Sequence, residues 1–244
     1  MGTDDIGKKR KVENKRLRSE RKEAKRSVGN RSLIPKILIL TEGYSEEIYF
    51  KKLVELLSLN TVEVQKSTHT DSDGIVKNAI THAKGSKRAG DEYSFIFCIF
   101  DLDTVRNRNF LNTISTYKTG LTEIIPVYSF PCIEIWFILH FEVCTKPFHS
   151  KDKKSIGDTV KEYFTKNYVE NYSEMNTESI EQLVHLYKRA IHNARQLAAH
   201  QTEVDSNNPI TTIHNLVILL DNIFNRTNNY MFERTVESFI EAKI

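Results

Sequence analysis

Tyr93-Ser94-Phe95-Ile96-Phe97-Cys98-Ile99-Phe100-Asp101-Leu102-Asp103 is the stretch on which the fold turns. From Phe95 to Phe100 it is apolar at every position. A strand with one wet face alternates apolar and polar residues, whereas an uninterrupted apolar run suits a strand covered on both faces, as in parallel sheets sheathed by helices. The run stops abruptly at two acids. Upstream, Lys36-Ile37-Leu38-Ile39-Leu40 has the same character and ends at Thr41-Glu42-Gly43. Weaker strands are expected at Thr61–Gln65 and Ile124–Ser129. Between these runs the apolar spacing turns helical. Ile48, Tyr49, Leu53, Leu56 and Leu57 follow Ser45, which reads as an N-cap. Ile75, Val76, Ala79, Ile80 and Ala83 follow Asp71-Ser72-Asp73-Gly74. That tetrapeptide lacks the third acid and closing Glu of a calcium loop and reads as a turn and helix cap. A further helix is expected over Phe110–Lys118. Strands alternating with helices predict right-handed crossovers and an α/β fold with a mostly parallel sheet flanked by helices.

Beyond Ser129 no strand is expected. Pro131 reads as opening an apolar helix that runs through His140, and residues 151–176 are polar and leave their structure unassigned. Ile180, Leu183, Val184, Tyr187, Ile191, Ala194, Leu197 and Ala198 predict one long amphipathic helix. Asn208-Pro209 breaks it, and a second helix is expected from about Thr212 to Phe224. Three regions follow: a basic arm over 1–31, an α/β domain over 32–150, and a mainly helical region over 151–244 whose helices pack on the sheet.

The 244 residues are 39% hydrophobic and 27% charged, with a net charge of +3. No segment approaches the roughly 20 apolar residues of a membrane span, and the polar, basic N-terminus lacks the apolar core of a secretory signal. Cys98, Cys132 and Cys144 show no C-x-x-C spacing, so neither a disulfide framework nor a cysteine zinc site is expected, and a cytoplasmic location fits best. The small net charge conceals an asymmetry. Residues 1–31 hold twelve Lys or Arg against five Asp or Glu, and residues 32–244 hold 23 against 27. An arm of +7 on a body of −4 suits contact with nucleic-acid phosphates, through Lys8, Lys9, Arg10, Lys11, Lys15, Arg16 and Arg18 among others; a solvated tail has the same composition.

The acids carry the chemistry. In open α/β sheets ligands gather at the carboxyl ends of the strands. Glu42 follows the first strand, and Asp101 and Asp103 follow the third, two residues apart and so aimed toward one region. Three such oxygens suit one or two hard divalent cations, Mg²⁺ or Mn²⁺. Singly, each acid could equally cap a helix or sit in a solvated loop. Glu134, in the first turn after Pro131, divides evenly between capping and a metal-site role. Glu46, four residues after Glu42, reads as a helix N-terminal acid in preference to an outer-shell ligand. His140 reads as a buried, hydrogen-bonded histidine and Trp136 as core. Arg106 and Arg108 flank the Asp-x-Asp loop, and with Lys87 and Arg88 they are candidates for phosphate contact.

Four motifs bear a resemblance. Thr41-Glu42-Gly43-Tyr44-Ser45-Glu46-Glu47-Ile48-Tyr49-Phe50 looks like the opening motif of the RloB family, and Phe100-Asp101-Leu102-Asp103 resembles its Phe-Asp-x-Asp. Ser129-Phe130-Pro131-Cys132-Ile133-Glu134-Ile135-Trp136-Phe137-Ile138-Leu139-His140-Phe141 is similar to its Ser-Asn-Pro-x-x-Glu-x-Trp-x-x-x-His-Phe, with Phe130 in place of the Asn. Asn208-Pro209-Ile210-Thr211 with Leu216-Val217 is similar to its C-terminal motif. The resemblance implies a Toprim-like α/β module in which Glu42, Asp101 and Asp103 form the active centre. It also implies a role in bacterial or archaeal antiphage defence beside an ATPase of the AAA or ABC type encoded nearby. No G-x-x-x-x-G-K-[ST] phosphate loop occurs in this chain.

The function expected on these grounds is a Mg²⁺- or Mn²⁺-dependent nuclease acting on DNA or RNA, tRNA included, with oligomerisation left open. The alternative is a non-cutting nucleic-acid-binding or sensor subunit of an ATPase-containing complex. A topoisomerase is disfavoured, because the chain is too short for a strand-passage gate.

Overall fold

The computed structural model describes residues 34–103, 118–175 and 177–225. The basic arm, Arg106, Arg108 and the helix expected from Phe110 lie outside the described residues, while Lys118 belongs to a short strand.

β1 (Ile37–Thr41) lies between β2 (Val62–Lys66) and β3 (Phe95–Asp101), parallel to both, with Ile37 opposite Val62 on one side and Phe95 on the other. β3 continues in parallel to β5 (Thr122–Phe130), from Phe95 opposite Glu123 to Asp101 opposite Ser129. Two-residue strands, β4 (Lys118–Thr119) and β6 (Ile210–Thr211), add antiparallel pairs to the two ends of β5. The order β2-β1-β3-β5 means the chain leaves β1 in one direction and β3 in the other. The crevice between the carboxyl ends of β1 and β3 is therefore the topological switch point, where open α/β sheets take their ligands.

The period of two along each strand explains the uninterrupted apolar runs. Ile37, Ile39, Phe97, Ile99, Ile125 and Val127 face one layer; Leu38, Leu40, Ile96, Cys98, Phe100 and Ile124 face the other. The second face is covered by α2 (Ser72–Ala89) through Ile75, Ala79 and Ala83. The first is covered by α1 (Tyr44–Leu56) and by five later helices: α3 (Glu134–Ile138), α4 (Ile156–Asn167), α5 (Thr177–Leu183), α6 (Tyr187–Glu203) and α7 (Ile213–Phe224). No described helix is long and apolar enough to cross a membrane.

α2 is punctuated at both ends. Asp71 is its N-cap and accepts the backbone N–H of Gly74 at 2.8 Å, and Gly90 closes it in the left-handed region at φ +73°. Asp71→Ala is expected to lower stability by about 1 kcal/mol; a thermal unfolding curve superimposable on wild type would contradict this account of the cap.

Several local expectations are corrected. Gly43, not Ser45, occupies the N-cap of α1; Ser45 is buried one position inside the helix, its hydroxyl 3.2 Å from that of Tyr172. The segment after Pro131 forms only the five-residue α3. Around it the backbone closes tighter i to i−3 bonds, Ile135 N–H to Cys132 O and His140 N–H to Phe137 O, which do not propagate an α-helix. The long amphipathic pattern is two helices, α5 and α6, joined by a 3₁₀ turn over Val184–Leu186. A strand does occur after Ser129: β6 follows Pro209, and the Thr211 hydroxyl lies 2.8 Å from that of Ser129. The unassigned stretch over 151–176 contains α4, opened by a reciprocal capping box between Ser155 and Asp158.

Candidate acidic active site

Strand ends and helix starts deliver five carboxylates to the switch-point crevice. Glu42 is the residue after β1, Asp101 ends β3, and Asp103 follows two residues on. Glu46 comes from the first turn of α1 and Glu134 from the first position of α3. All five line one cavity of about 210 Å³, together with Cys132, Gly157, Lys161 and two further acids, Asp158 and Glu174. The Glu42 carboxylate accepts the backbone N–H of Asp101 at 3.3 Å, which ties the two strand ends together.

Two glycines permit this crowding. A methyl group on Gly43 would fall 2.6 Å from a Glu46 carboxylate oxygen, and one on Gly157 would fall 2.6 Å from an Asp103 oxygen. A Cβ at either position would require the neighbouring carboxylate to shift. Glu134 is fully buried; its Oε1 accepts the Tyr172 hydroxyl at 3.0 Å, and its Oε2 has no hydrogen-bond partner.

Behind the carboxylates stands a neutral aromatic anchor. The His140 Nδ1–H donates to the Trp136 carbonyl at 2.9 Å, so Nε2 is left to accept the Tyr49 hydroxyl at 3.0 Å. Burial pushes the imidazole down to about 4, so the ring stays uncharged. His140 therefore positions α3 against α1 rather than contributing a charge to the cavity.

The electrostatics are those of carboxylates short of cations. Loss of water and the neighbouring Asp103 and Asp71 push Glu42 up to about 7, despite the Asp101 N–H. Burial, with Glu134 and Glu42 close by, pushes Glu46 up to about 8. Asp101 is driven well above the usual carboxylate range by desolvation and by four surrounding acids. Glu134 is raised by burial, partly offset by Lys161. Lys161, the one lysine lining the cavity, is itself paired with Glu174.

Buried carboxylates in this number must hold protons or share a cation. An all-oxygen donor set with an unpartnered Glu134 Oε2 fits a hard divalent cation, Mg²⁺ or Mn²⁺. Among the described residues no three His, Cys, Asp or Glu side chains are already gathered as a metal site. The fit therefore lies in donor chemistry and convergence, not in a preset ligand cage.

A pH dependence follows. Glu42 and Glu46 have folded values above the ordinary 4.5. Their contribution to stability is complete below about pH 4.5 and is lost as pH rises through about 7 to 8. In EDTA, the melting temperature is expected to fall from about pH 5.5 to about pH 8.5, and Mn²⁺ is expected to raise it more at the higher pH. An Mn²⁺ effect that is equal at both values would contradict carboxylate ligation.

The four acids singled out from the sequence, Glu42, Asp101, Asp103 and Glu134, thus share one cavity. Lys87 and Arg88 lie in the last turn of α2, outside the cavity lining. Glu46 is the helix N-terminal acid expected, and it is also a buried member of the cluster. It lies on the inward stripe of α1 with Tyr49, Phe50 and Leu53, a spacing visible in the sequence. Lys161 and Tyr172 come from the stretch without a periodic signal.

Comparison with known families adds one match: a family model described as RloB-like protein aligns with residues 37–220. That span opens at β1 and closes within α7. No curated protein and no solved structure matches the chain.

Proposed function

We propose that this chain, which belongs to the RloB-like protein family, is a Mg²⁺- or Mn²⁺-dependent nuclease of Toprim type that hydrolyses phosphodiester bonds in DNA or RNA. The observation that carries the reading is the convergence of Glu42, Glu46, Asp101, Asp103 and Glu134 on one cavity at the switch point of the sheet.

Asp101, Asp103 and Glu134 would hold the cation, Glu134 through the oxygen that lacks a partner. A bound divalent cation supplies charge neutralisation at the phosphate and a more acidic water. Glu42, with a carboxyl near 7, is suited to take the proton of the attacking water, and the Asp101 N–H holds it in place for that task. Oxygen from that water bonds to phosphorus, the bond from phosphorus to the leaving sugar oxygen breaks, and that oxygen takes a proton from solvent water to end as a hydroxyl. Tyr172 orients Glu134 by donating to it, and Lys161 partly offsets its charge. The arm, together with Arg106 and Arg108, would hold the phosphate backbone. The proposed setting is antiphage defence, with an ATPase encoded nearby as the partner that controls cutting.

The second reading is a non-cutting sensor subunit of such a complex, in which the same carboxylates bind a cation or a nucleic-acid end without hydrolysis. The full chain is to be incubated with mixed cellular DNA and tRNA in Mg²⁺, Mn²⁺ or EDTA, with and without the neighbouring ATPase. Metal-dependent fragments from either nucleic acid support the nuclease. Binding without cutting in every condition selects the sensor.

A further inference from the structure

A second cavity, larger and opposite in charge, lies on the other side of α4. Its volume is about 650 Å³, and its cationic walls come from Lys146, Lys151 and Lys166. Within residues 145–167 there are six lysines against three acids, on a body whose overall balance is acidic. Glu162, the one carboxylate lining this cavity, is taken by Lys154 at 2.8 Å. Lys146, Lys151 and Lys166 form no ion pair among the described residues.

The groove is built rather than incidental. The Lys146 ammonium sits 4.9 Å from the centre of the Tyr163 ring and 5.8 Å from that of Phe148. The two rings meet edge to face at 5.6 Å, and Phe148 is buried. A lysine held over aromatic faces presents its charge at a fixed place and loses less freedom on binding an anion. The Asn208 side chain clamps the backbone of Phe148 from both sides, accepting its N–H at 3.0 Å and donating to its carbonyl at 2.6 Å. That clamp fastens the loop that carries Lys146 to the residue before Pro209.

The two cavities are joined by one helix. Gly157, Asp158 and Lys161 of α4 face the acidic cavity; Thr159, Glu162, Tyr163 and Lys166 face the basic one. The acidic cavity offers a polyanionic strand a single lysine, Lys161, which is already committed to Glu174. An adjoining cationic track supplies the missing phosphate contacts and sets the direction from which a strand enters.

We propose that the groove lined by Lys146, Lys151 and Lys166 is the phosphate-backbone subsite for a nucleic-acid strand whose next nucleotides reach the acidic cavity across α4. This rests on the nucleic-acid reading of the acidic site. The groove contributes affinity and strand direction and no chemistry, so its lysines are positioning residues.

The test uses the full chain, wild type and Lys146→Ala/Lys151→Ala/Lys166→Ala, with a fluorescein-labelled single-stranded oligonucleotide and labelled tRNA in separate anisotropy titrations over a range of salt. The triple variant is expected to bind at least about tenfold more weakly, and its plot of log affinity against log salt is expected to be shallower by about 2. Mn²⁺ binding and melting temperature should match wild type. Lys151→Ala/Lys166→Ala, which keeps the Lys146 contacts with the rings, should show roughly two-thirds of the change in slope. If wild type binds and the triple variant binds equally with the same slope, the subsite is overturned while the nuclease reading stands; a groove serving an acidic protein gives this result. If wild type binds neither probe, the nucleic-acid reading falls and takes the subsite with it.

Discussion

Asp101→Ala/Asp103→Ala is expected to lower metal-dependent phosphodiester cleavage by about 10³-fold or more, the scale on which removing charge stabilisation from a reaction centre is felt. The loss should fall on kcat, with KM for the nucleic acid little changed, because the proposed phosphate contacts lie in the arm and the basic groove. Stability should not fall with activity. Asp101 stands among four other acids that raise it well above the ordinary range, so its removal relieves repulsion in the metal-free protein. Glu42→Gln is expected to lose a comparable share of rate while keeping cation binding, since a carboxamide cannot take the water's proton. A folded double variant that cuts at the wild-type rate would remove these carboxylates from the chemistry.

Trp136→Ala is expected to be the most damaging single change to stability, at about 3–5 kcal/mol. The indole is fully buried and edge-on to Tyr49 at 6.1 Å and to His140 at 5.1 Å. For a unit of this size that is a fall of roughly 10 °C in melting temperature. Because Trp136 lies two residues after Glu134, the cavity should loosen as well, and the Mn²⁺-induced rise in melting temperature should shrink. Unfolding followed by circular dichroism in urea measures the loss, since the variant has no tryptophan to report by fluorescence. A cost below about 1 kcal/mol would show that α3 is anchored elsewhere.

How far the sequence carries this account depends on the element. The apolar runs of β1 and β3 are readable because both faces of each strand are buried, and the acids at their ends follow from strand polarity alone. Glu42 and Asp101 are thus the positions where reading and structure meet most closely. Glu46 is harder. A first-turn acid is ordinarily solvated, and only its alignment with Tyr49, Phe50 and Leu53 places it inward. The division of one apolar stripe into α5 and α6 is hidden because a single 3₁₀ turn barely disturbs the spacing. β6 is two residues long, too short to show any period. Lys161 and Tyr172 reach the cavity from a polar stretch whose one local signal was the Ser155-x-x-Asp158 box. The basic groove combines a loop and the helix α4, both downstream of the last acidic motif, and only their packing across Phe148 and Tyr163 reveals it.

Titration of the full chain with Mn²⁺ at about pH 8, followed by the loss of the free-ion electron paramagnetic resonance signal, tests the central claim most directly, because it needs no substrate or partner. The cluster of Glu42, Glu46, Asp101, Asp103 and Glu134 predicts saturable binding of one or two ions by wild type and its loss in Asp101→Asn/Asp103→Asn, with both proteins folded. A free-ion signal unchanged by wild-type protein up to millimolar Mn²⁺, or binding that survives intact in the double variant, would contradict a divalent-cation site at the head of β1 and β3.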